Sequence, residues 1–253
     1  MRILGIALIA AGAMFAADNE PSKAQIDDII QKFAAHEAAF AKARENYTYR
    51  QTVRIQELNE AGATTGRWEM VSDIVFTPDG RRTEHVVRSP VPDLHELILT
   101  PEDMEDLKSV QPFVLTTDQL DKYLIRYLGR QKVDEVGTYV FAVKPKEYKG
   151  KERYFQGEVW VDDRDLQIVK SYGRGVGQAN KGGNGQQFPK FETYREQIDG
   201  KFWFPTYTIA NDTLHFKNSD VRMKQTVKYE DYKQFKSDST ITFGDSVDTK
   251  KKP

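Results

Sequence analysis

The spacing of hydrophobic residues changes abruptly near residue 45. Between Lys23 and Arg44, Ile26, Ile29, Ile30, Phe33, Glu37 and Phe40 recur near the helical period, with Ala34, Ala35, Ala38 and Ala39 between them. This predicts one amphipathic helix, with Ser22 as its cap. From Tyr47 to Gln56 the period falls to two: Tyr47, Tyr49, Gln51, Val53 and Ile55 alternate with Thr48, Arg50, Thr52, Arg54 and Gln56. A strand with one buried face follows from that pattern. Further strands are predicted at Arg67–Phe76, at Arg82–Val87 after the turn residues Pro78–Asp79–Gly80, and as a short piece over Leu94–Leu99. Thr100 and Pro101 supply a cap and a first-turn proline for a short helix over about 101–109, presenting Met104 and Leu107. Beyond it the β pattern continues at about 122–132, 138–144, 154–161, 166–174, 190–198, 202–211 and 221–235.

The stretch Arg153–Tyr172 reads as a hairpin: aromatic and β-branched residues from Tyr154 to Val161, an acidic turn Asp162–Asp165, and a second apolar run from Leu166. Alternation puts Tyr154 and Trp160 on one face and Phe155, Val159 and Val161 on the other, so each face calls for a cover of helix, second sheet or ligand. Helices and strands are distributed without a βαβ rhythm. The expected fold is therefore mainly β (α+β): a strongly bent antiparallel sheet or half-open β-barrel of about eleven strands, with the N-terminal helix and short helices as a lid.

A chain of 253 residues can bury the core of one such domain. Its 37 Lys and Arg nearly balance 38 Asp and Glu, so net charge does not point to nucleic acid. The absence of cysteine excludes disulfides, thiolate metal sites, a cysteine nucleophile and an acylated N-terminal cysteine. Arg2, the apolar run Ile3–Phe15 and the small residues after it predict a secretory signal over 1–17, with an A-x-A pattern at Ala11–Gly12–Ala13 and further cleavage points after Ala16 or Ala17. The run falls short of the roughly 20 residues of a spanning helix. The expected plan is a signal at 1–17, one domain at 18–240 and a disordered tail at 241–253 ending Lys250–Lys251–Lys252–Pro253.

Motifs for chemistry are few. Gly173–Gln187 is glycine-rich but has no G-K-[ST] ending, no G-x-G-x-x-G spacing and no helix to follow, so it is read as a long hairpin loop. Asp162, Asp163 and Asp165 are out of register for a calcium loop and are read as an acidic turn. His36, His85, His95 and His215 are scattered, and no G-x-S-x-G elbow is present. Glu158 and Glu196 are expected to pair with an arginine such as Arg195 or Arg153. No catalytic residue, metal or cofactor is therefore predicted. The surplus of large apolar groups is compatible with a solid core or with a greasy cleft, and residue types leave the two open.

Asn46–Gln56 (NYTYRQTVRIQ), Gly157–Asp162 (GEVWVD), Leu166–Lys170 (LQIVK), and the stretches FETYREQIDGKFWFPTYT and VQPFVLTT resemble the outer-membrane lipoprotein-sorting carriers (LolA-like), and more closely uncharacterised exported bacterial relatives, over residues 25–235. The resemblance implies a half-open barrel with a helical lid over a hydrophobic cavity that shields acyl chains without chemistry. It implies an exported, periplasmic protein associated with the outer membrane, lipid or lipoprotein acyl chains as ligand, inner- and outer-membrane envelope proteins as partners, and no nucleic acid. Arg50 and Arg54 lie in a strand comparable to the one carrying the family's lid-holding arginine, without a motif match to either. The loop at 173–187 and the extended C-terminal part depart from the family pattern. Phe33, Phe40, Tyr49, Val53, Trp68, Met70, Ile74 and Leu107 are the residues expected to face the cavity. The alternative is a non-catalytic cell-envelope interaction or structural domain with a filled core, and a third reading is a hydrolase built from dispersed carboxylates.

Overall fold

The computed structural model describes residues 20–177 and 188–235. The expected signal at 1–17, most of the glycine-rich loop and the tail at 241–253 lie outside the described residues. The first helix, α1 (Lys23–Arg44), starts where the sequence placed it: Ser22 Oγ accepts from the Gln25 amide and the Gln25 side chain returns a bond to the Ser22 amide. Ile29, Phe33, Ala34, Glu37 and Phe40 form its buried stripe.

Ten strands follow. They are β1 (Tyr47–Leu58), β2 (Thr64–Phe76), β3 (Arg82–Arg88), β4 (Tyr123–Val133), β5 (Val136–Pro145), β6 (Tyr154–Asp162), β7 (Ile168–Val176), β8 (Phe191–Gln197), β9 (Trp203–His215) and β10 (Asp220–Gln234). They make one sheet in the order β3-β2-β1-β10-β9-β8-β7-β6-β5-β4, with every neighbouring pair antiparallel. β3 and β4 are its two edges and do not pair with each other, so the bent sheet is an open half-barrel. Between β3 and β4 the chain forms α2 (Pro101–Glu105), a π-type turn at Asp106–Val110 and a 3-10 turn at Thr117–Lys122. Thr100 caps α2 and Pro101 begins it, as predicted.

The eleventh expected strand, Leu94–Leu99, is a loop. Its amides do not enter a ladder because the buried Glu57 carboxylate takes them: His95 N–H at 2.9 Å, Glu96 at 2.8 Å and Leu97 at 2.7 Å. β7 begins at Ile168 instead of Leu166, because the Asp162 carboxylate accepts the Arg164 and Asp165 amides and Leu166 takes a φ of 49° to complete the turn. The glycine-rich segment also divides differently, since Gly173 and Gly175 belong to β7. A Cβ on Gly175 would lie 1.9 Å from an Asp106 carboxylate oxygen, so the strand approaches that side chain only through glycine.

Three clusters fill the concave side. Under α1 the largest packs Phe33 on Phe141 at 5.4 Å and stacks Phe113 on Phe155 at 4.4 Å. Val53, Ile55, Trp68, Met70, Met223 and Val227 form a second, beneath the loop leucines 94, 97 and 99. Phe40, Tyr47 and Phe204 form a third. Tyr154 departs from simple alternation: at the first position of β6 its ring turns toward Tyr123 and Tyr148 and joins the cluster of Phe155. Trp160 does lie on the other face, where the sheet's own side chains cover it. Its Nε1 donates to Gln131 Oε1 at 2.9 Å, Lys170 Nζ sits 4.9 Å from the ring, and Val140 and Val169 pack beside it.

Candidate functional site: an apolar pocket behind a pinned strap

The segment from Asp106 to Phe113 crosses the concave face as a strap, and four side chains in or beside the sheet pin it. Arg153 of β6's approach donates to both Asp106 carboxylate oxygens, at 2.7 and 2.6 Å. Gln51 of β1 donates to the Leu107 carbonyl at 3.4 Å, Thr193 of β8 donates to the Gln111 carbonyl at 2.9 Å, and Arg195 donates to the Phe113 carbonyl. Arg195 also donates to Glu37 of α1 at 3.1 Å, and Glu37 accepts the Ile168 amide at 3.0 Å. Glu37 and Arg195 are both closed to solvent, so one buried ion pair ties helix, strap and sheet together. Arg195 and Arg153 therefore pair with Glu37 and Asp106, and not with Glu158 or Glu196 as expected.

Between the strap and the far half of the sheet lies a cavity of about 410 Å³. Ile55, Met223, Leu214 and Phe191 form its floor from β1, β10, β9 and β8. Leu97 and Leu99 of the Glu57-held loop form its roof, and Leu107 its back wall. Ile98, 85% exposed, stands at the mouth. Two polar atoms in these walls, Gln111 Oε1 and Gln225 Nε2, are buried without a partner among the described residues. Such atoms are costly to leave unpaired, so the walls suit a ligand that carries a hydrogen-bonding group on an apolar body.

The two carboxyls that hold the roof and the strap titrate in opposite senses. Burial pushes Glu57 up, but the amides of His95, Leu97 and Glu96 outweigh it and leave the group below its ordinary 4.5. Glu57 therefore contributes stability above pH 4.5 that is lost as pH falls through its lower folded value. Burial pushes Asp106 up to about 6 from 3.8, against the opposing pull of Arg153. Its ionised form works against folding above about pH 6, and that cost fades as pH falls toward 3.8. The melting temperature is accordingly expected to rise as pH falls from about 6 toward 4.5, where Asp106 sheds its cost while Glu57 stays ionised. A melting temperature that climbs steadily from pH 4 to pH 8 would contradict this assignment.

Of the eight residues singled out from the sequence, Leu107 lines this pocket. Tyr49 and Phe40 line a crevice of about 20 Å³ with Tyr232, and Tyr49 also reaches a polar cleft on the strap's other side. Phe33 sits in the core under α1, and Val53, Trp68 and Met70 in the cluster beneath the roof. Ile74 is fully buried. Sequence reasoning did not single out Gln111, Gln225 or Glu57. Gln225 and Glu57 carried a signal, because each continues the inward register of its strand among apolar residues.

No protein-family model matches the chain, and no curated protein matches it. Among solved structures it is similar to a LolA superfamily protein from Nitrosomonas europaea, with 15% identity over 80% of this chain and 94% of that one and a TM-score of 0.36. A DUF1329 family protein from Desulfovibrio piger aligns with 14% identity over 81% and 93% and a TM-score of 0.41. An outer-membrane lipoprotein-sorting protein domain from Vibrio parahaemolyticus aligns with 10% identity over 84% and 95% and a TM-score of 0.38. No helix among the described residues is long and apolar enough to cross a membrane.

Proposed function

We propose that this protein binds the acyl chain of a lipid or lipoprotein in the pocket behind the strap and carries it, without chemical change, through the periplasm between envelope membranes. The observation that supports this most directly is the pocket itself: about 410 Å³ of apolar-walled space on the open side of a half-barrel, within the usual size range of roughly 300–1,000 Å³ for ligand sites. Each buried methylene contributes about 0.8 kcal/mol, so ten would supply about 8 kcal/mol, enough for micromolar affinity before the costs of ordering. An amide that joins such a chain to its head would donate to Gln111 Oε1 and accept from Gln225 Nε2, whereas an ester would meet Gln225 alone. Residues 1–17 are proposed as the export signal, and 18–240 as the carrier domain.

The expected result is binding of an apolar fluorescent probe that palmitate displaces. Leu99→Trp, which fills the roof side of the pocket, should weaken binding at least tenfold while the melting temperature moves by only a few degrees. A copurifying lipid detected by native mass spectrometry would support the same reading.

The second reading, an envelope interaction or structural domain, draws on the solid aromatic packing under α1, where Phe33, Phe141, Phe113 and Phe155 leave the chain's own rings as the filling. A folded protein that takes up neither probe nor lipid would favour it and end the carrier proposal.

A further inference from the structure

The strap has a second side. Opposite the apolar pocket, its residues Lys108 and Ser109, with Glu105 at the end of α2, border a separate cleft of about 850 Å³. The end of α1, the β2–β3 turn and the start of β6 enclose the rest. Six cationic side chains line this cleft against three anionic ones. Their pairing is incomplete. Lys122 is matched by Glu152, and Lys108 and Arg82 share Glu84. Arg44 has neither a hydrogen bond nor an ion pair among the described residues. Its guanidinium rests 5.8 Å from the Phe40 ring centre.

Two further donors are left over in the same wall. Arg153, with only 2% of its side chain exposed, gives Nε and Nη2 to Asp106 and keeps a buried Nη1 with no acceptor. Arg82 gives Nη2 to Gln51 and Nη1 to Glu84, and keeps a buried Nε with no acceptor. Neither atom is reached by bulk solvent, so both stand as unpaired donors, a state that native proteins seldom tolerate. We infer that the cleft binds a phosphate group, held by Arg44, Arg82 and Arg153 from three different elements.

The geometry of the spare donors selects the ligand. A carboxylate is planar and matches the two-pronged fork of a single guanidinium. Here the fork of Arg153 is already occupied by Asp106, and the three arginines come from separate segments of the chain. A tetrahedral oxyanion has oxygens to meet all of them. Burial lowers the Arg44 pKa, and the neighbouring Arg195 charge lowers it further, although Glu37 and the tyrosines oppose this. An incoming dianion would relieve that strain between cations. Arg44 lies deep in the molecule but keeps accessible surface because it faces the cleft.

This inference does not rest on acyl-chain binding, since none of the three arginines lines the apolar pocket. Titration calorimetry of the intact protein with inorganic phosphate, at fixed ionic strength against chloride, is expected to give saturable one-site binding. Arg44→Gln, chosen because Arg44 makes no structural bond, should weaken it about tenfold and leave apolar-probe binding unchanged. Lys151→Gln, at the cleft's exposed rim, should weaken it less. Titration with dioctanoyl phosphatidic acid separates the sources. Affinity equal to that of inorganic phosphate assigns the cleft to free phosphate, and affinity at least tenfold tighter assigns it to a lipid headgroup. Absence of phosphate binding, or binding undiminished in a folded Arg44→Gln variant, would overturn the proposal.

Discussion

Glu37→Ala is expected to destabilise the protein by about 3–5 kcal/mol, because it leaves the Arg195 guanidinium buried without its counter-charge. For a domain of this size, that is a fall in melting temperature of roughly 10 °C or more. Both side chains are sealed from water, at 0% and 2% exposure. Glu37 also accepts the Ile168 amide, so the alanine variant orphans a second buried donor. Glu37→Gln retains an acceptor for that amide and should lose less. The double variant Glu37→Leu with Arg195→Met removes both charges and should recover part of the loss in a thermal melt, since paired burial of ions is a costly arrangement even when satisfied. Arg195 also holds the Phe113 carbonyl, so recovery will be incomplete. If Glu37→Ala melts within 2 °C of the wild type, the pair does not tie α1 to the strap as described.

That pair also marks where sequence reasoning stops. α1 was legible because its signals are local: the Ser22 cap, the apolar stripe and the alanines all lie within one element. The same holds for α2, whose Thr100 and Pro101 adjoin it, and for the inward register of β1. Glu37 and Arg195 are 158 residues apart, and nothing in either neighbourhood names the other. The loop at 94–99 carries the apolar, strand-like run Leu97–Ile98–Leu99, and the carboxylate that captures its amides lies about 40 residues earlier. The pocket inherits this difficulty. Leu97, Leu99 and Leu107 become its roof and back wall only because Glu57, Arg153 and Gln51 hold those segments off the sheet, so its position depends on long-range hydrogen bonds that a hydrophobic pattern does not encode.

Gly157→Val is the second large effect expected, by a mechanism that side-chain rearrangement cannot relieve. Gly157 of β6 faces Gly173 of β7 directly across the ladder. A Cβ at 157 would lie 2.1 Å from the Tyr172 carbonyl oxygen and 2.5 Å from the Gly173 Cα, both backbone atoms. The Phe155 ring lies across the pair, with Cζ 2.9 Å from that Cβ position and 2.8 Å from the one at Gly173. The two glycines thus let an aromatic ring lie flat on the backbone and stack on Phe113 of the strap. Valine would force β6 and β7 apart and lift Phe155 from Phe113, at a cost of about 3 kcal/mol or more in denaturant unfolding. The loss should exceed that of Gly150→Val, where no atom lies within 4 Å of the Cβ position and the penalty is confined to the backbone φ of 53°. Equal losses at the two positions would mean that the close β6–β7 approach contributes nothing of its own. A larger loss at Gly157, with a weaker near-ultraviolet aromatic signal, would place the Phe155–Phe113 stack on the path by which the hairpin supports the strap and, through it, the pocket.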